Sequence, residues 1–411
     1  MSGDAAPAID AARAIADLRE LDARTGGPEG ARRVCWTGEW HAARELLAEL
    51  LDEVGLRCEV DEAGNAWTYL EGEEGSEPAL AVGSHLDSVP NGGWLDGALG
   101  VMAAVALLRA WAGSGRRPRR TLALVDWADE EGAFGRSLLG SSAASGTLDP
   151  GELASARDRD GRPAADVLAA NGVELEGILA AASRMERLGA YLELHIEQGP
   201  VLASEGVSAA AVSGCVGLER VRFRFAGAPS HAGTTPMDAR RDAGLAAATT
   251  ALAVERIATA AGGVGTVGSL ALEPGAPTVI PGVAELVADL RHPDAEALAG
   301  MLAAVRDAAE TAAAERGCEL AEEPVWRIEP IAFDPDLVLA ARRACERVAG
   351  RDYELSSGAL HDAAEAARRV PAAMVFSPSI GGISHSPAED TAEADLRVAI
   401  EAFGQLANGR L

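Results

Sequence analysis

Lysine is absent from all 411 residues, and the 36 basic side chains are all arginine. That excludes a lysine Schiff base and a lysine general base; with the abundance of alanine, it reads as genome composition. Cysteine is scarce: Cys35, Cys58, Cys215, Cys318 and Cys345 are odd in number, scattered and without C-x-x-C spacing. Such a set supports neither a disulfide framework nor thiolate-bound zinc, and it reads as small buried hydrophobes in a reducing cytoplasm. Any metal must then be held by histidine and carboxylate. Positive charge is in deficit, with 63 acidic residues against 36 basic and a net charge of −27. Nucleic acid is excluded as a partner, because phosphates demand basic patches. The imbalance fits a soluble protein kept apart by self-repulsion. No apolar run approaches the roughly 18 residues of a membrane span. The N-terminus carries acids without a continuous apolar core, unlike a signal peptide. The expectation is a cytoplasmic protein with no membrane partner.

What is present is an ordinary globular composition, 48% apolar, in a chain long enough for two or three domains. One stretch organises it: Gly83-Ser-His-Leu-Asp-Ser-Val-Pro-Asn-Gly-Gly-Trp-Leu-Asp-Gly-Ala-Leu-Gly100. The apolar run Ala79–Val82 before it reads as a buried strand, and Leu99, Met102, Val105 and Leu108 after it share a helix face. His85 and Asp87 therefore leave the carboxyl end of a strand, the edge where open α/β sheets place ligands. Asp96 stands at a helix start. His85 and Asp96 suit a metal, with Asp87 orienting His85. Equally, Asp96 suits an N-cap and His85 a plain loop residue.

Along the chain, 6–24 and 39–55 read as amphipathic helices, joined by Trp36-Thr-Gly-Glu-Trp40, a loop whose aromatics look exposed. Strands are expected at 56–60, 65–70, 121–127, 191–196 and 372–376, and helices at 150–190, 335–349 and 392–408. Their alternation implies a mainly parallel sheet with helices on both faces, an α/β fold. The pattern changes near 211: Val221-Arg-Phe-Arg-Phe225 alternates, as a strand with one wet face does. A βαββαβ-like series follows, so 211–325 is expected to be an inserted α+β domain. The main domain then comprises 1–210 and 326–411.

Chemistry concentrates in few residues. Only seven histidines occur, and His85, His195 and His385 each lie just past a predicted strand or in a Gly/Pro-rich loop near carboxylates. Glu130 and Glu131 follow the 121–127 strand in the same way. With Asp96 they form a set that can hold two divalent ions roughly 3.5–4 Å apart. Histidine and carboxylate without thiolate suits Zn²⁺, Mn²⁺, Co²⁺ or Ni²⁺. A carboxylate can bridge such a pair and an imidazole cannot, so the bridge falls to Asp96. Of two adjacent glutamates, one can bind metal while the other takes a proton.

His85-Leu-Asp87, Asp96-Gly97, Glu130-Glu131-Gly132, His195-Ile-Glu-Gln-Gly199, His231-Ala-Gly-Thr-Thr-Pro-Met237, Asp289-Leu-Arg-His-Pro293, Gly358-Ala-Leu-His-Asp362 and Gly382-Ile-Ser-His385 follow one another in order. Together, across about residues 30–400, they resemble the dinuclear amidohydrolases of the N-carbamoyl-L-amino acid hydrolase and allantoate amidohydrolase family. That group is related to aminoacylases and zinc aminopeptidases. The resemblance implies an aminopeptidase-like catalytic domain with an inserted lid or dimerisation domain. It implies that His85 and His195 bind one metal, Glu131 and His385 the other, and that Asp96 bridges. Glu130 would be general base and then acid, and Asp87 would hold His85. His231 would reach a neighbouring subunit's site in a homodimer and stabilise the oxyanion. Arg291 would grip the substrate carboxylate. Gln198, Thr278 and the Gly358 backbone would contact substrate. The reaction implied is hydrolysis of a carbamoyl C–N bond, with an allantoate or β-ureidopropionase-type ureide as alternative substrate.

The pocket departs from the family pattern. Gly275 and Thr278 stand where asparagine is expected, Leu218 where glutamine is common, and Leu360 replaces a glycine. Each change removes polarity or adds bulk. Gln198 and Thr234–Met237 argue against a peptidase or deacylase. A complete ligand set with Glu130 argues against a dead homologue acting as a binding protein.

Overall fold

The computed structural model describes residues 6–75 and 77–411. Residue contacts divide the chain into two compact units: the segment up to Gly214 together with Phe333–Leu411, and Cys215–Ala332.

The first unit is built on a sheet whose four central strands are Ala372–Ser377, Leu188–Ile196, Ala79–His85 and Leu122–Trp127, in that spatial order. All three pairings among them are parallel. Nearly every residue in them is buried, which explains why they read as continuous apolar runs rather than alternating ones. On the flanks the sheet turns antiparallel: Ala66–Leu70 against Leu122–Trp127, Glu59–Val60 against Ala66–Leu70, and Ala210–Cys215 against Ala372–Ser377. The sheet is therefore mixed, and the expectation of a mainly parallel sheet holds only for its centre. The reason lies at one edge, where the tight Asp61–Asn65 turn returns the chain as a hairpin, with Asp61 Oδ1 accepting the Ala63 and Asn65 N–H groups.

Helices cover the sheet. Ala98–Gly113, Glu393–Asn408 and Ala11–Thr25 pack against one another, and the first two also lie on central strands. Asp362–Ala366 lies against three of the same strands and packs on Leu139–Ser145. Trp36 and Trp40 correct the reading of an exposed aromatic loop. They are 7% and 2% exposed, sit 5.0 Å apart, and belong to an apolar cluster with Phe134, Leu153 and Leu168.

The second unit is a four-stranded antiparallel sheet in the order Val264–Glu273, Val283–His292, Gly217–Ala226, Glu319–Ile328. Helices Ala243–Ala261 and Ala295–Glu315 bury Phe223, Phe225, Leu286 and Leu290. Strand Val283–His292 alternates between half-buried and buried residues along most of its length. This unit runs a few residues past the expected boundary at 325, because Glu319–Ile328 pairs with Gly217–Ala226. Among the described residues no helix is long and apolar enough to cross a membrane.

Candidate metal centre

Parallel register sets the site. Because the four central strands point the same way, their carboxyl ends share one edge of the sheet. His85 is the last residue of Ala79–His85, His195 the penultimate residue of Leu188–Ile196, and Glu130 and Glu131 follow Leu122–Trp127 closely. The loop bearing His385 leaves Ala372–Ser377. His85, Asp96 and His195 converge as one group that could hold a metal ion, and Asp96, Glu131 and His385 as another.

Asp96 belongs to both. Its Oδ1 lies 3.2 Å from His195 Nε2 and 3.9 Å from His85 Nε2, while its Oδ2 lies 3.2 Å from His385 Nε2. Glu131 Oε2 is 3.4 Å from the same His385 nitrogen. The carboxylate does not cap the helix that begins at Ala98, since that terminus has no side-chain cap. Of the two readings the sequence allowed for Asp96, capping is thereby removed. Gly97 follows with φ +63, and a Cβ there would overlap the His85 imidazole. The Asp-Gly pair thus brings the carboxylate and the ring together where another residue would hold them apart.

The tautomers follow from the second nitrogens. His85 Nδ1 lies 3.1 Å from the Asp87 carbonyl and His195 Nδ1 2.9 Å from the Ile196 carbonyl. A carbonyl only accepts, so each Nδ1 carries the proton and each Nε2 faces Asp96. His195 Nε2 also accepts the Gly97 N–H at 3.2 Å, whereas the His85 Nε2 lone pair faces the Asp96 and Glu130 carboxylates and needs positive charge between, supplied by a second ring proton or a cation. The donor set therefore fits a metal. The charges of the neighbouring side chains act on the protons accordingly. Burial opposes charge on His85, yet Glu130, Asp87 and Asp96 raise its pKa well above the ordinary histidine value. Burial also opposes ionisation of Asp96, but His195, His385 and His85 hold it well below the usual carboxylate range. Burial, reinforced by Asp96, pushes Glu131 up to about 7.

Glu130 is 8% exposed, and its Oε2 lies 3.7 Å from His85 Nε2. Burial raises its pKa well above the ordinary glutamate value; His85 opposes this, and Glu131 and Asp362 add to it. Asp87 Oδ1 is 3.5 Å from His85 Nδ1 and accepts the Glu130 N–H, while Oδ2 accepts the Glu131 N–H. One carboxylate thus ties the His85 turn to the Glu130–Glu131 turn. Gln198 Nε2 donates to Asp96 Oδ2 at 3.1 Å. Gln198 and His385 are both held at positive φ, an uncommon conformation for residues with a side chain and one that concentrates at functional sites.

The other expected residues divide between the units. Gly358 is exposed in the first unit. In the second, Ser230–His231 pairs with Val279–Ile280, which brings His231 beside Thr278, whose carbonyl accepts the Ala232 N–H at 2.9 Å. Both are exposed. Arg291 Nε donates to Asp289 Oδ1 at 2.9 Å, and Arg220 holds Oδ2 of the same carboxylate.

Sequence reasoning does not find Glu389. It is 2% exposed; Oε1 accepts the N–H groups of Leu95 and Asp96, and Oε2 accepts from Ser384 Oγ. It fastens the turn that presents Asp96 to the loop that carries His385. The available signal is a carboxylate shortly after His385, in His385-Ser-Pro-Ala-Glu389. His361, within the Gly358–Asp362 motif, stacks edge-on against His195 at 4.4 Å, and burial and His195 lower its pKa well below the ordinary value.

A parallel-centred α/β sheet with a carboxylate shared between two histidine-containing groups at its edge defines a class, and comparison agrees. Residues 81–409 match the model of peptidase family M20/M25/M40, and the chain belongs to that family. Within it, the chain belongs with the carbamoylase-type amidohydrolases. It is 38% identical to the N-carbamoyl-L-amino acid amidohydrolase of Geobacillus stearothermophilus, over 96% of this chain and 97% of that protein. It is 34% identical to the allantoate amidohydrolase of Escherichia coli, over 89% and 90%. The crystal structure of a hydantoinase/carbamoylase family amidase from Burkholderia multivorans superposes with a TM-score of 0.89 at 33% identity, covering 98% of this chain and 99% of that one.

Proposed function

We propose that this chain is a dinuclear metal-dependent amidohydrolase that cleaves the carbamoyl C–N bond of an N-carbamoyl-L-amino acid in the cytoplasm. The observation that carries this reading is Asp96, whose two oxygens address two different sets of candidate ligands. His85 and His195 would hold one divalent ion and Glu131 and His385 the other, with Asp96 available to both; zinc, manganese, cobalt or nickel suits these donors. Such ions, when bound, acidify water and polarise a carbonyl.

The protein groups supply the rest. Glu130, held close to His85, takes the proton of the attacking water and returns it to the leaving nitrogen. Asp87 keeps the His85 ring and the Glu130–Glu131 turn in register. His231 donates to the developing oxyanion. Arg291 grips the substrate carboxylate, and Gln198, Thr278 and the Gly358 backbone contact the remainder. Water is consumed, and the free amino acid, carbon dioxide and ammonia are released.

His231 acts from the partner in a homodimer. The second unit supports such a pairing. Val264–Glu273 is an edge strand carrying exposed Val264, Leu270 and Leu272, and Ala243–Ala261 exposes Leu245 and Leu252. An unpaired apolar edge is a template for a second copy. The test is ammonia release from a panel of N-carbamoyl-L-amino acids, allantoate and 3-ureidopropionate, alongside N-acetyl amino acids. Ammonia from a carbamoyl amino acid with inert N-acetyl analogues is expected. Turnover of N-acetyl substrates alone would reassign the chain to the deacylases.

A further inference from the structure

A cavity of about 380 Å³ opens in the first unit beside the metal centre, with both Asp87 and Glu131 in its lining. Glu131 separates the two spaces: its Oε2 faces His385, while its Oε1 accepts the N–H of Val89, a wall residue of the cavity. Val34, Cys35, Ala133 and Phe134 form further wall. The charged groups that reach the lining are largely committed elsewhere. Asp87 is taken up by the Glu130 and Glu131 N–H groups, Asp158 by Arg162 and its own loop, and Arg157 by the Gly161 carbonyl. What faces the interior is mainly apolar, as in a small-molecule pocket of this size.

Resting on the amidohydrolase reading, we infer that this cavity receives the side chain of the substrate amino acid and selects apolar side chains up to aromatic size. Chemistry places that side chain here. In an N-carbamoyl amino acid the α-carbon is bonded to the scissile nitrogen, so when the carbamoyl carbon lies at the metals the side chain starts in their immediate surroundings. Glu131 and Asp87 line the cavity and also belong to the proposed site, so the cavity adjoins the place where the side chain starts. Val34 and Ala133 are wall residues of the cavity, and neither belongs to the proposed catalytic set.

The test compares N-carbamoyl-L-phenylalanine, N-carbamoylglycine and N-carbamoyl-L-aspartate on wild type, Val34→Phe and Ala133→Leu. Each filling substitution should lower kcat/KM for the phenylalanyl compound about tenfold or more, the scale on which a pocket resolves added methylenes. The glycyl compound should be nearly unaffected. The Kd of the same compounds on a Glu130→Gln background should show the same selective loss, a readout independent of turnover. Equal losses on all three compounds would overturn the proposal. So would a wild-type preference for the aspartyl over the phenylalanyl compound, which would give the lining to Arg157 and Arg159. Should the filled variants unfold, Val34→Ala tests the opposite direction: it should improve naphthylalanyl relative to phenylalanyl substrate, and an unchanged ratio would overturn the proposal. Failure of the amidohydrolase reading is seen separately, as no ammonia from any ureide with wild type.

Discussion

The two units hold their candidate functional residues in opposite ways. At the sheet edge of the first, His85, Asp96 and His195 are at most 2% exposed, with the two rings 3.9 and 3.2 Å from Asp96, and of the five candidate ligands His385 alone is exposed. In the second, His231 and Thr278 are exposed on short paired strands, and the His231 ring receives the N–H of Gly233 two residues on. A buried carboxylate–histidine cluster is complete within its own unit and is costly unless charge is balanced. A solvated histidine costs nothing while it waits, and acts only on what another surface brings to it. On the proposed reading, the first arrangement would carry the chemistry, and the second would act only once another surface meets it.

The comparison breaks first at the cluster. Exhaustive chelation should abolish ammonia release entirely, and readdition of Mn²⁺, Co²⁺, Ni²⁺ or Zn²⁺ should restore it. Asp96→Asn should lower the bound metal measured by mass spectrometry from two ions to one or none. Full activity of demonstrably metal-free protein would sink the idea. Next in size is Glu130→Gln, which keeps shape but cannot take a proton. Metal content should be unchanged and kcat should fall by roughly 10²–10⁴. Metal loss in this variant would make Glu130 a ligand instead.

Much of the buried cluster is legible in the sequence, and the reason is strand order. Parallel strands deliver their carboxyl ends to one edge, so His85, Glu130, Glu131 and His195, each placed at or just after an apolar run, group together on pattern alone. For Asp96 the stretch 83–100 alone leaves cap and metal readings level, and only the later histidines and glutamates favour a shared carboxylate; the structure removes the cap, since the helix at Ala98 has no side-chain cap bond. Glu389 goes unread because its role is to accept backbone N–H groups from a turn distant in sequence; its place shortly after His385 is a local signal, but it does not name that role. The antiparallel flanks escape for a related reason: a short run such as Glu59–Val60 carries too little periodicity to reveal its partner's direction. Trp36 and Trp40 mislead because polar neighbours suggest a loop surface, while burial there is decided by the helices of 150–181 packing on them.

His231→Ala is the prediction that most directly joins the two units. Loss of an oxyanion donor should lower kcat about 10²–10³-fold. If the role is exerted across a dimer, mixing His231→Ala with Glu130→Gln protein under subunit exchange should restore activity. One hybrid site then has both intact groups and the other has neither, so recovery is capped at about half the wild-type rate per dimer for non-interacting sites. No recovery despite verified exchange would place His231 in the site of its own chain.

Arg291→Lys should act more weakly. The planar fork is lost while the charge stays, and kcat/KM on carbamoyl amino acids should fall about tenfold, the scale of a hydrogen bond to a charged group. Carbamoyl amino acid amides, which lack the carboxylate, should be spared. Equal losses on acid and amide would instead make Arg291 a structural partner of Asp289, alongside Arg220.

The smallest effect asks whether the two units are separate in energy as well as in contacts. Asp242 caps the helix Ala243–Ala261 by accepting the Leu245 N–H at 3.1 Å. Asp334 does the same in the first unit, accepting the N–H groups of Asp336 and Leu337 ahead of Pro335–Ala349. Replacing either by alanine should cost about 1 kcal/mol, which for units of this size lowers a melting midpoint by a few degrees, about 2–6 °C. Neither residue touches the cluster, so ammonia release at 25 °C should be unaltered. If each unit unfolds on its own, scanning calorimetry of the metal-loaded protein should resolve two transitions. Asp242→Ala should move one and Asp334→Ala the other. A single transition displaced equally by both substitutions would mean that the exposed unit and the buried cluster share one cooperative fate, and that their contrast in burial is not a contrast in stability.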